Sequence, residues 1–405
     1  MSSAPPSLAV TRDEKSAIHE DEHHVAFTNS TVDGAGKVAR TASEALFNEE
    51  VNARKNAKHN PIFLILINGY SAVTVFALHL ISLEGLVSIA LCISLTISIY
   101  HRVDDNSTFD GSIMNWTLLS FAIITPLSAA VSMAFRRREQ ALSDIANIRA
   151  TSLEIYAAHA GWDWGWKDDD TGRDRSTVNW IDHSDKVLVQ FLGLSEDLTR
   201  WLTLPTTSRA RHKVTPWGNA EAQETRLVAM KLYESIVVRF GHLADLCEIL
   251  KREGLPPNEA TRIRQYERFI LSSVERLRMV KMYRTPQALR SFARLFSVFL
   301  PPFYSPFYAQ MATELNSLGM AVAFAVLTSV ALTALFETVA QMEDPFVDLS
   351  VLDGVAVKRD LMDDFKIQIL AMRRHFFSGA PAFREKPGHV VRVEAQISTV
   401  RLLSE

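Results

Sequence analysis

Apolar residues in this chain are collected into a few long blocks, and these blocks constrain its fold more than any other feature. A helix needs roughly 20 apolar residues to cross the hydrocarbon core of a bilayer. Three blocks meet this length and a fourth comes close to it: Ile62–Ser82, Trp116–Phe135, Leu315–Gln341 and Leu295–Ala312. The sequence therefore predicts an integral membrane protein, although 47% hydrophobic residues and a net charge of −3 would also suit a soluble one.

The second block ends abruptly in three arginines, in the stretch "SMAFRRREQAL" (Ser132–Leu142), and the helical pattern continues beyond them. Basic residues near span ends collect on the cytoplasmic or equivalent side of a membrane. If Leu295–Gln341 is a two-span hairpin, three basic clusters share that side: Arg136–Arg138; Arg284, Arg290 and Arg294; Lys358 and Arg359. Lys55 and Lys58 join them only if Ile62–Tyr100 crosses an odd number of times, so we predict four spans with both termini inside.

The long polar region that follows the arginines is predicted to form water-soluble helices. Apolar residues recur every three or four positions in two segments joined by "GLPPN" (Gly254–Asn258), a spacing typical of amphipathic helices. Asn258 is predicted to cap the second helix. The predicted buried stripes are Ala229, Leu232, Ile236, Phe240, Leu243, Cys247 and Leu250, followed by Ile263, Tyr266, Ile270, Val274, Leu277 and Met282.

The sequence thus predicts an all-α fold in which four transmembrane helices continue into a soluble helical layer. Five regions follow one another: a polar, disordered tail at 1–60, a first membrane region at 61–135, a soluble helical region at 136–290, a membrane hairpin at 291–341 and a polar C-terminal region at 342–405. Pro301, Pro302 and Pro306 in the hairpin would leave backbone carbonyls unpaired. In a membrane this is tolerated only where protein or a water-lined cavity covers them.

Three stretches of the chain resemble the bestrophin family, in its divergent bacterial, plant and algal branch. In "AFRRREQALSDIANIR", Phe135, Arg136 and Arg149 match an apolar helix that ends in Phe-Arg and a following motif that closes on Arg. The stretch "RTPQALRSFARLFSVFLPPF" is similar to the family's third span, which begins at a proline, and "MEDPFVDLSVLDGV" to its acidic-Pro-Phe turn. The resemblance extends over about residues 60–360.

This resemblance implies a pentameric anion channel with a single central pore. The span Trp116–Phe135 would then line the neck of the pore, with Pro126 breaking its helix. One face of that helix carries the predicted neck residues Ser120, Ile124, Leu127, Ser128 and Val131. Arg136, Arg137 and Arg138 would raise the local anion concentration at the inner mouth. For each residue a simpler interpretation exists: the apolar side chains pack against neighbouring helices, and the arginines only anchor the topology.

Calcium is the one cofactor that the sequence brings into consideration. The acidic run that forms the calcium clasp in animal bestrophins is reduced here to Glu343, Asp344, Asp348 and Asp353. We take Glu343, Asp344 and Asp348 as the candidate calcium ligands, with ordinary surface carboxylates as the alternative.

Other classes of function are compatible with parts of the sequence. A secondary transporter or a non-conducting membrane scaffold is the main alternative to a channel, although we see no internal repeat of the kind that transporters carry. A membrane-bound enzyme using the tryptophan-rich loop "GWDWGWKDDD" near His159 is a second alternative, but we predict no enzyme. The predicted partners are inorganic anions, membrane lipid and further copies of the chain. The charge balance argues against nucleic acid, and the sequence does not distinguish a plasma membrane from an organelle membrane.

Overall fold

The computed structural model describes residues 43, 46–48, 61–77, 81–102, 124–162, 178–204, 216–283, 287–342, 344–346 and 354–383. Its elements are α1 (Pro61–Val75), α2 (Leu83–Arg102), α3 (Thr125–Ala160), α4 (Trp180–Thr203), α5 (Pro216–Arg252), α6 (Pro257–Met282), α7 (Gln287–Phe303), α8 (Ser305–Glu314), α9 (Leu318–Met342), a π-helical segment (Lys358–Asp364) and α10 (Phe365–Phe376). Every element among these residues is helical, which confirms the all-α class.

The chain divides into two units, Met1–Val75 and Phe76–Glu405. In the first unit, α1 is an apolar helix of 15 residues that begins at Pro61, as the sequence predicts. The second unit contains all the other helices. Two of them, α2 and the segment Leu318–Ala340 of α9, are long and apolar enough to cross a membrane. Among the described residues, two helices therefore have the length and composition of a membrane span, whereas the sequence predicts four spans.

An apolar bundle is formed by α2, α7, α8 and α9. Its core contains Cys92, Tyr304, Tyr308, Ala312, Ala321, Ala325 and Leu332. Two contacts fix the direction of each neighbour. On α7, Glu84 meets Arg294 and Ser88 meets Val298; on α9, Gly85 meets Thr333 and Ser88 meets Ser329. Hence α2 runs parallel to α7 and antiparallel to α9. A Cβ atom on Gly85 would lie 3.1 Å from Thr333 Oγ1, so this glycine permits the close approach of α2 and α9.

Hydroxyl groups replace two of the backbone hydrogen bonds that the three prolines remove. In a regular helix, the amide of residue 302 would bond the carbonyl of Val298, but a proline has no amide hydrogen. Instead Ser88 Oγ on α2 donates to the Val298 carbonyl at 2.8 Å. Similarly, Ser305 Oγ donates at 2.6 Å to the Pro302 carbonyl, which would otherwise bond residue 306. The prediction that protein covers the freed carbonyls is confirmed at these two positions.

The Ser88→Ala substitution should therefore lower the free energy of unfolding by about 1–3 kcal/mol, the usual cost of an unsatisfied buried polar group. The substitution removes the donor to Val298 and also the 2.8 Å contact with Ser329 Oγ. Ser94→Ala on the same helix is the matched control, since its exposed hydroxyl bonds only carbonyls of α2. Thermal unfolding in detergent measures both variants, and equal losses would show that Ser88 has no special role.

The soluble layer is a four-helix bundle in which α3 contacts α4 and α6, and α5 contacts α4 and α6. The π-helical segment and α10 pack on α3, and the π-helical segment also contacts α4. Five members of the stripe predicted on α5 are buried: Leu232, Ile236, Leu243, Cys247 and Leu250. The other two, Ala229 and Phe240, are half-buried and pack against the same core. Gly254 follows the end of α5. Its φ of +97° is a conformation that favours glycine.

Two predictions about α6 are wrong. The helix begins at Pro257 with Pro256 in the capping position, and no side chain caps it. Asn258 is inside the first turn, because proline is already suited to open a helix. Met282, predicted to be buried with Ile270 and Leu277, is 52% exposed. It lies in the last turn of the helix, beyond the part of α6 that its neighbours cover.

One helix joins the two layers. The 36 residues of α3 extend over about 54 Å at 1.5 Å per residue. Leu127 and Ala130 near its start pack against Ala293 of α7 and Phe336 of α9. Ile145 and the residues after it belong to the core of the soluble bundle. The apolar block, the three arginines and the polar segment beyond them are thus one uninterrupted helix.

Candidate functional site

The structure divides the predicted neck residues between two faces of α3. Leu127 is only 1% exposed, and Val131 packs against the same internal cluster. Ile124 and Ser128 are exposed instead, and Ser120 lies outside the described residues. The prediction that Leu127 and Val131 share a pore-facing surface with Ser128 is not supported, because these two side chains are used for packing within the chain.

A different set of residues forms the exposed face of α3. Thr125, Ser128, Ser132 and Arg136 are separated by three, four and four positions, which places them along one side of the helix. All four are exposed. The opposite side carries the buried Leu127, Ala130 and Ala134. One exposed side of α3 therefore carries hydroxyl groups that lead to an arginine, and Ile124, Met133 and Phe135 beside it are also exposed.

The position of this hydroxyl stripe along the apolar bundle follows from its neighbours. Leu127 lies level with Ala293 and Val339, which belong to the first turns of α7 and the last turns of α9. Arg294, next to Ala293, donates a 2.9 Å hydrogen bond to Glu84 in the first turn of α2. The stripe is thus at the arginine-bearing end of the bundle. Pro126, predicted to break the helix of this span, lies in the first turn of α3, and the part of the span before residue 124 is outside the described residues.

The three consecutive arginines have three different environments. Arg137 donates to the carbonyl of Tyr283 at 2.6 Å and to that of Val280, so its charge stabilises the C-terminal end of α6. Arg138 bonds Glu139 at 2.8 Å. Arg136 is exposed at the end of the hydroxyl stripe. Sequence reasoning treated the three as equivalent, whereas the structure leaves Arg136 as the one whose side chain reaches the exposed face.

The candidate calcium ligand Asp344 is bound to an amino group. Lys281 Nζ lies 3.0 Å from Asp344 Oδ2, and the two side chains are 1% and 10% exposed. The carboxylate also accepts a 3.2 Å hydrogen bond from the Phe346 amide. A calcium ion at this carboxylate would have to displace the lysine. Glu343 and Asp348 lie outside the described residues, among which no group of three metal-binding side chains occurs.

His159, considered above for an enzyme, is part of a buried histidine pair. Its Nδ1 lies 2.9 Å from Nε2 of His183, and both residues are almost completely buried. Burial lowers the pKa of His159 to about 3, with the charge of His183 as the second cause. Burial also lowers the pKa of His183 to about 4, with Lys186 second. Both imidazoles are therefore neutral core groups at physiological pH. Nothing in the sequence connects these two histidines, because 24 positions separate them.

No family model matches the sequence, and no curated protein is similar enough in sequence to be matched. Solved structures do match the fold. A bacterial bestrophin homolog from Klebsiella pneumoniae aligns with a TM-score of 0.51 at 13% identity, covering 72% of this chain and 97% of that chain. A point variant of the Klebsiella pneumoniae homolog gives a TM-score of 0.51 at 14% identity, with 73% and 98% covered.

A further crystal structure, described as that of a membrane protein variant, aligns with a TM-score of 0.52 at 14% identity over 72% of this chain and 97% of that chain. Identities this low carry information about the fold and not about individual residues. The alignments nevertheless cover almost the whole length of each solved chain. We conclude that this chain has a bestrophin-like fold.

Proposed function

We propose that this protein is a bestrophin-like anion channel of the membrane, which conducts passively through a central pore shared by several copies of the chain. The observation that carries this proposal is the hydroxyl stripe of α3, formed by Thr125, Ser128 and Ser132 and ending at Arg136. A helix that faces lipid normally presents apolar side chains. Exposed hydroxyl groups at the arginine-bearing end of the apolar bundle suit contact with water or with an ion that has lost part of its hydration shell.

We propose a topology of four spans, which is consistent with the directions of the helices. α2 begins at the arginine-bearing end of the bundle, beside Arg294, and is long enough to cross once. α7 and α8 together would form the third crossing, and α9 would form the fourth. The predicted span Trp116–Phe135 would be the second crossing. With α2 as the one crossing in Ile62–Tyr100, the odd number of crossings predicted for that segment is satisfied.

Several copies are needed because one hydroxyl stripe cannot enclose a pore. The bestrophin resemblance favours five copies around a central axis, with one α3 from each copy lining the conduit. The neck would then consist of Ser120, Ile124 and Ser128 rather than Leu127 and Val131. Ser132 and Arg136 would line the inner mouth, where positive charge raises the local concentration of anions. Chloride, nitrate and bicarbonate are the candidate ions.

Reconstitution into planar bilayers with gradients of chloride, nitrate and bicarbonate tests this function. Single-channel steps that reverse near the equilibrium potential of the anion would support the channel. Flux that saturates without unitary steps would favour the secondary transporter. A silent bilayer containing a monomeric particle would leave the non-conducting scaffold as the better interpretation.

Arg136→Gln should lower the anion conductance by up to about 10-fold at low salt, and less at high salt, because its charge concentrates anions at the mouth and salt screens that field. Arg138→Gln is the matched control, since Arg138 bonds Glu139 and is less exposed than Arg136. Single-channel currents at two salt concentrations measure both variants. Equal conductances for the two would contradict the assignment of Arg136 to the inner mouth.

A further inference from the structure

The exposed face of α3 that begins with the hydroxyl stripe continues beyond Arg136 into the soluble layer. Its exposed members there are Gln140, Ser143, Ala150 and Glu154. Arg136 and Glu154 are 18 positions apart. At 3.6 residues per turn this is a whole number of turns, so the two side chains leave the helix in the same direction. They lie about 27 Å apart along its axis, at a rise of 1.5 Å per residue.

The other sides of α3 are covered in the soluble layer. α4, α6 and α10 pack on this helix. The side chains that face them are buried: Ala141, Asp144, Ile145, Ile148, Thr151, Ser152 and Ile155. The face that carries Glu154 is therefore the side that this packing leaves open. Because α3 is one uninterrupted helix, a face that lines a conduit at Ser132 is turned the same way at Glu154.

Glu154 is an isolated negative charge on this face. Its side chain is exposed, and within the part of the chain that the structure describes no basic group pairs with it. Arg136 does not neutralise it, because charges are screened over about 8 Å at physiological ionic strength and these two are about three times farther apart. The two ends of the long face therefore carry charges of opposite sign that act independently.

From this arrangement we infer that Glu154 controls the entry of anions into the conduit from the side of the soluble layer. The inference rests on the proposed function, because the conduit needs several copies of α3. Each copy then adds one carboxylate at the same height. Rings of carboxylates favour cations and lower the local concentration of anions. Anions that enter from the soluble layer pass Glu154 before they reach Arg136, whereas anions that enter from the opposite side reach Arg136 first.

Single-channel currents of the full-length protein in planar bilayers test this inference. Glu154→Gln should raise the chloride current that enters from the side of the soluble layer severalfold at low salt. It should change that current little at high salt, where the field of the carboxylates is screened. The current in the opposite direction should change less. Asp245→Asn is the matched control, since it removes an exposed carboxylate from α5, a helix that packs on α4 and α6.

The variant Glu154→Cys provides a second measurement in which the charge is put back. A positively charged thiol reagent added on the side of the soluble layer should raise the current above that of Glu154→Gln. A negatively charged reagent of similar size should return it toward that of the wild type. A role in folding alone would not depend on the sign of the reagent. The native Cys92 and Cys247 are buried, so their background should be low.

Equal currents for Glu154→Gln and Asp245→Asn at low salt would overturn the inference and leave the proposed function intact. Currents of Glu154→Cys that do not respond to either reagent would do the same, because the side chain would then lie away from the conduit. If the wild type shows no unitary currents at all, the proposed function fails together with the inference.

Discussion

Replacing Lys281 with methionine should lower the free energy of unfolding by about 3–5 kcal/mol, the cost typical of leaving one partner of a buried ion pair alone. Lys281 Nζ is 3.0 Å from Asp344 Oδ2, and its side chain is only 1% exposed. Methionine fills a similar volume but leaves the carboxylate in a protein interior without its counter-charge. The pair joins the end of α6 to the turn that follows α9, so the loss should also weaken the junction between the two layers.

The double variant Lys281→Met with Asp344→Asn separates this effect from a simple loss of packing. Asparagine keeps an acceptor for the Phe346 amide while removing the unpaired charge. The double variant should therefore be more stable than Lys281→Met alone, as a double-mutant cycle would show. Lys231→Met is the matched control. Its ion pair with Glu234 is exposed, so this substitution should change the stability very little. If the single and double variants unfold at the same temperature, the buried charge is not the cause.

Lowering the pH from neutral should destabilise the soluble layer through the pair His159 and His183. Both folded pKa values lie below the ordinary value of about 6.5, at about 3 and about 4. Below pH 6.5 the unfolded chain therefore binds protons that the folded chain does not, and stability is lost as the pH falls toward 4. At pH 5 the two histidines together should cost on the order of 2–4 kcal/mol.

The pH dependence is measured by thermal unfolding between neutral pH and pH 4.5, with tryptophan fluorescence as the signal. In the wild type, the unfolding temperature should fall as the pH decreases below 6.5. The double variant His159→Gln with His183→Gln should have a lower unfolding temperature at neutral pH and a much smaller dependence on pH. If both proteins show the same slope, other titrating groups dominate and the histidine pair is not the acid-sensitive element.

The sequence was sufficient for features that depend on spacing within one segment. The alternation of three and four along α5 identified its buried side chains, such as Ile236 and Cys247, because a helix places such positions on one face wherever it packs. The carbonyls freed by the prolines of the hairpin were predictable for a similar reason, since a proline acts on its own backbone. The predicted cap at Asn258 failed because a proline opened the helix one position earlier.

The candidate site was predicted in part. The continuation of one helix through the three arginines was predicted and is observed, whereas the assignment of this helix to a pore stays a prediction. However, Ile124, Leu127, Ser128 and Val131 were assigned to one surface, and the structure separates them. Leu and Val on α3 can face either a pore or another helix, and the sequence contains nothing that distinguishes these two apolar environments. The choice depends on Ala293 and Phe336, which lie far along the chain.

The sequence by itself determined the fold class of this protein. It did so through the long apolar blocks, the arginines at the end of one of them, and the helical pattern that continues beyond those arginines. These follow from the length and periodicity of single segments. Only the tertiary structure decided which face of α3 is exposed, which arginine caps α6 and that Lys281 binds Asp344. Each of these depends on atoms brought together from segments more than 60 residues apart, and local spacing carries no information about such contacts.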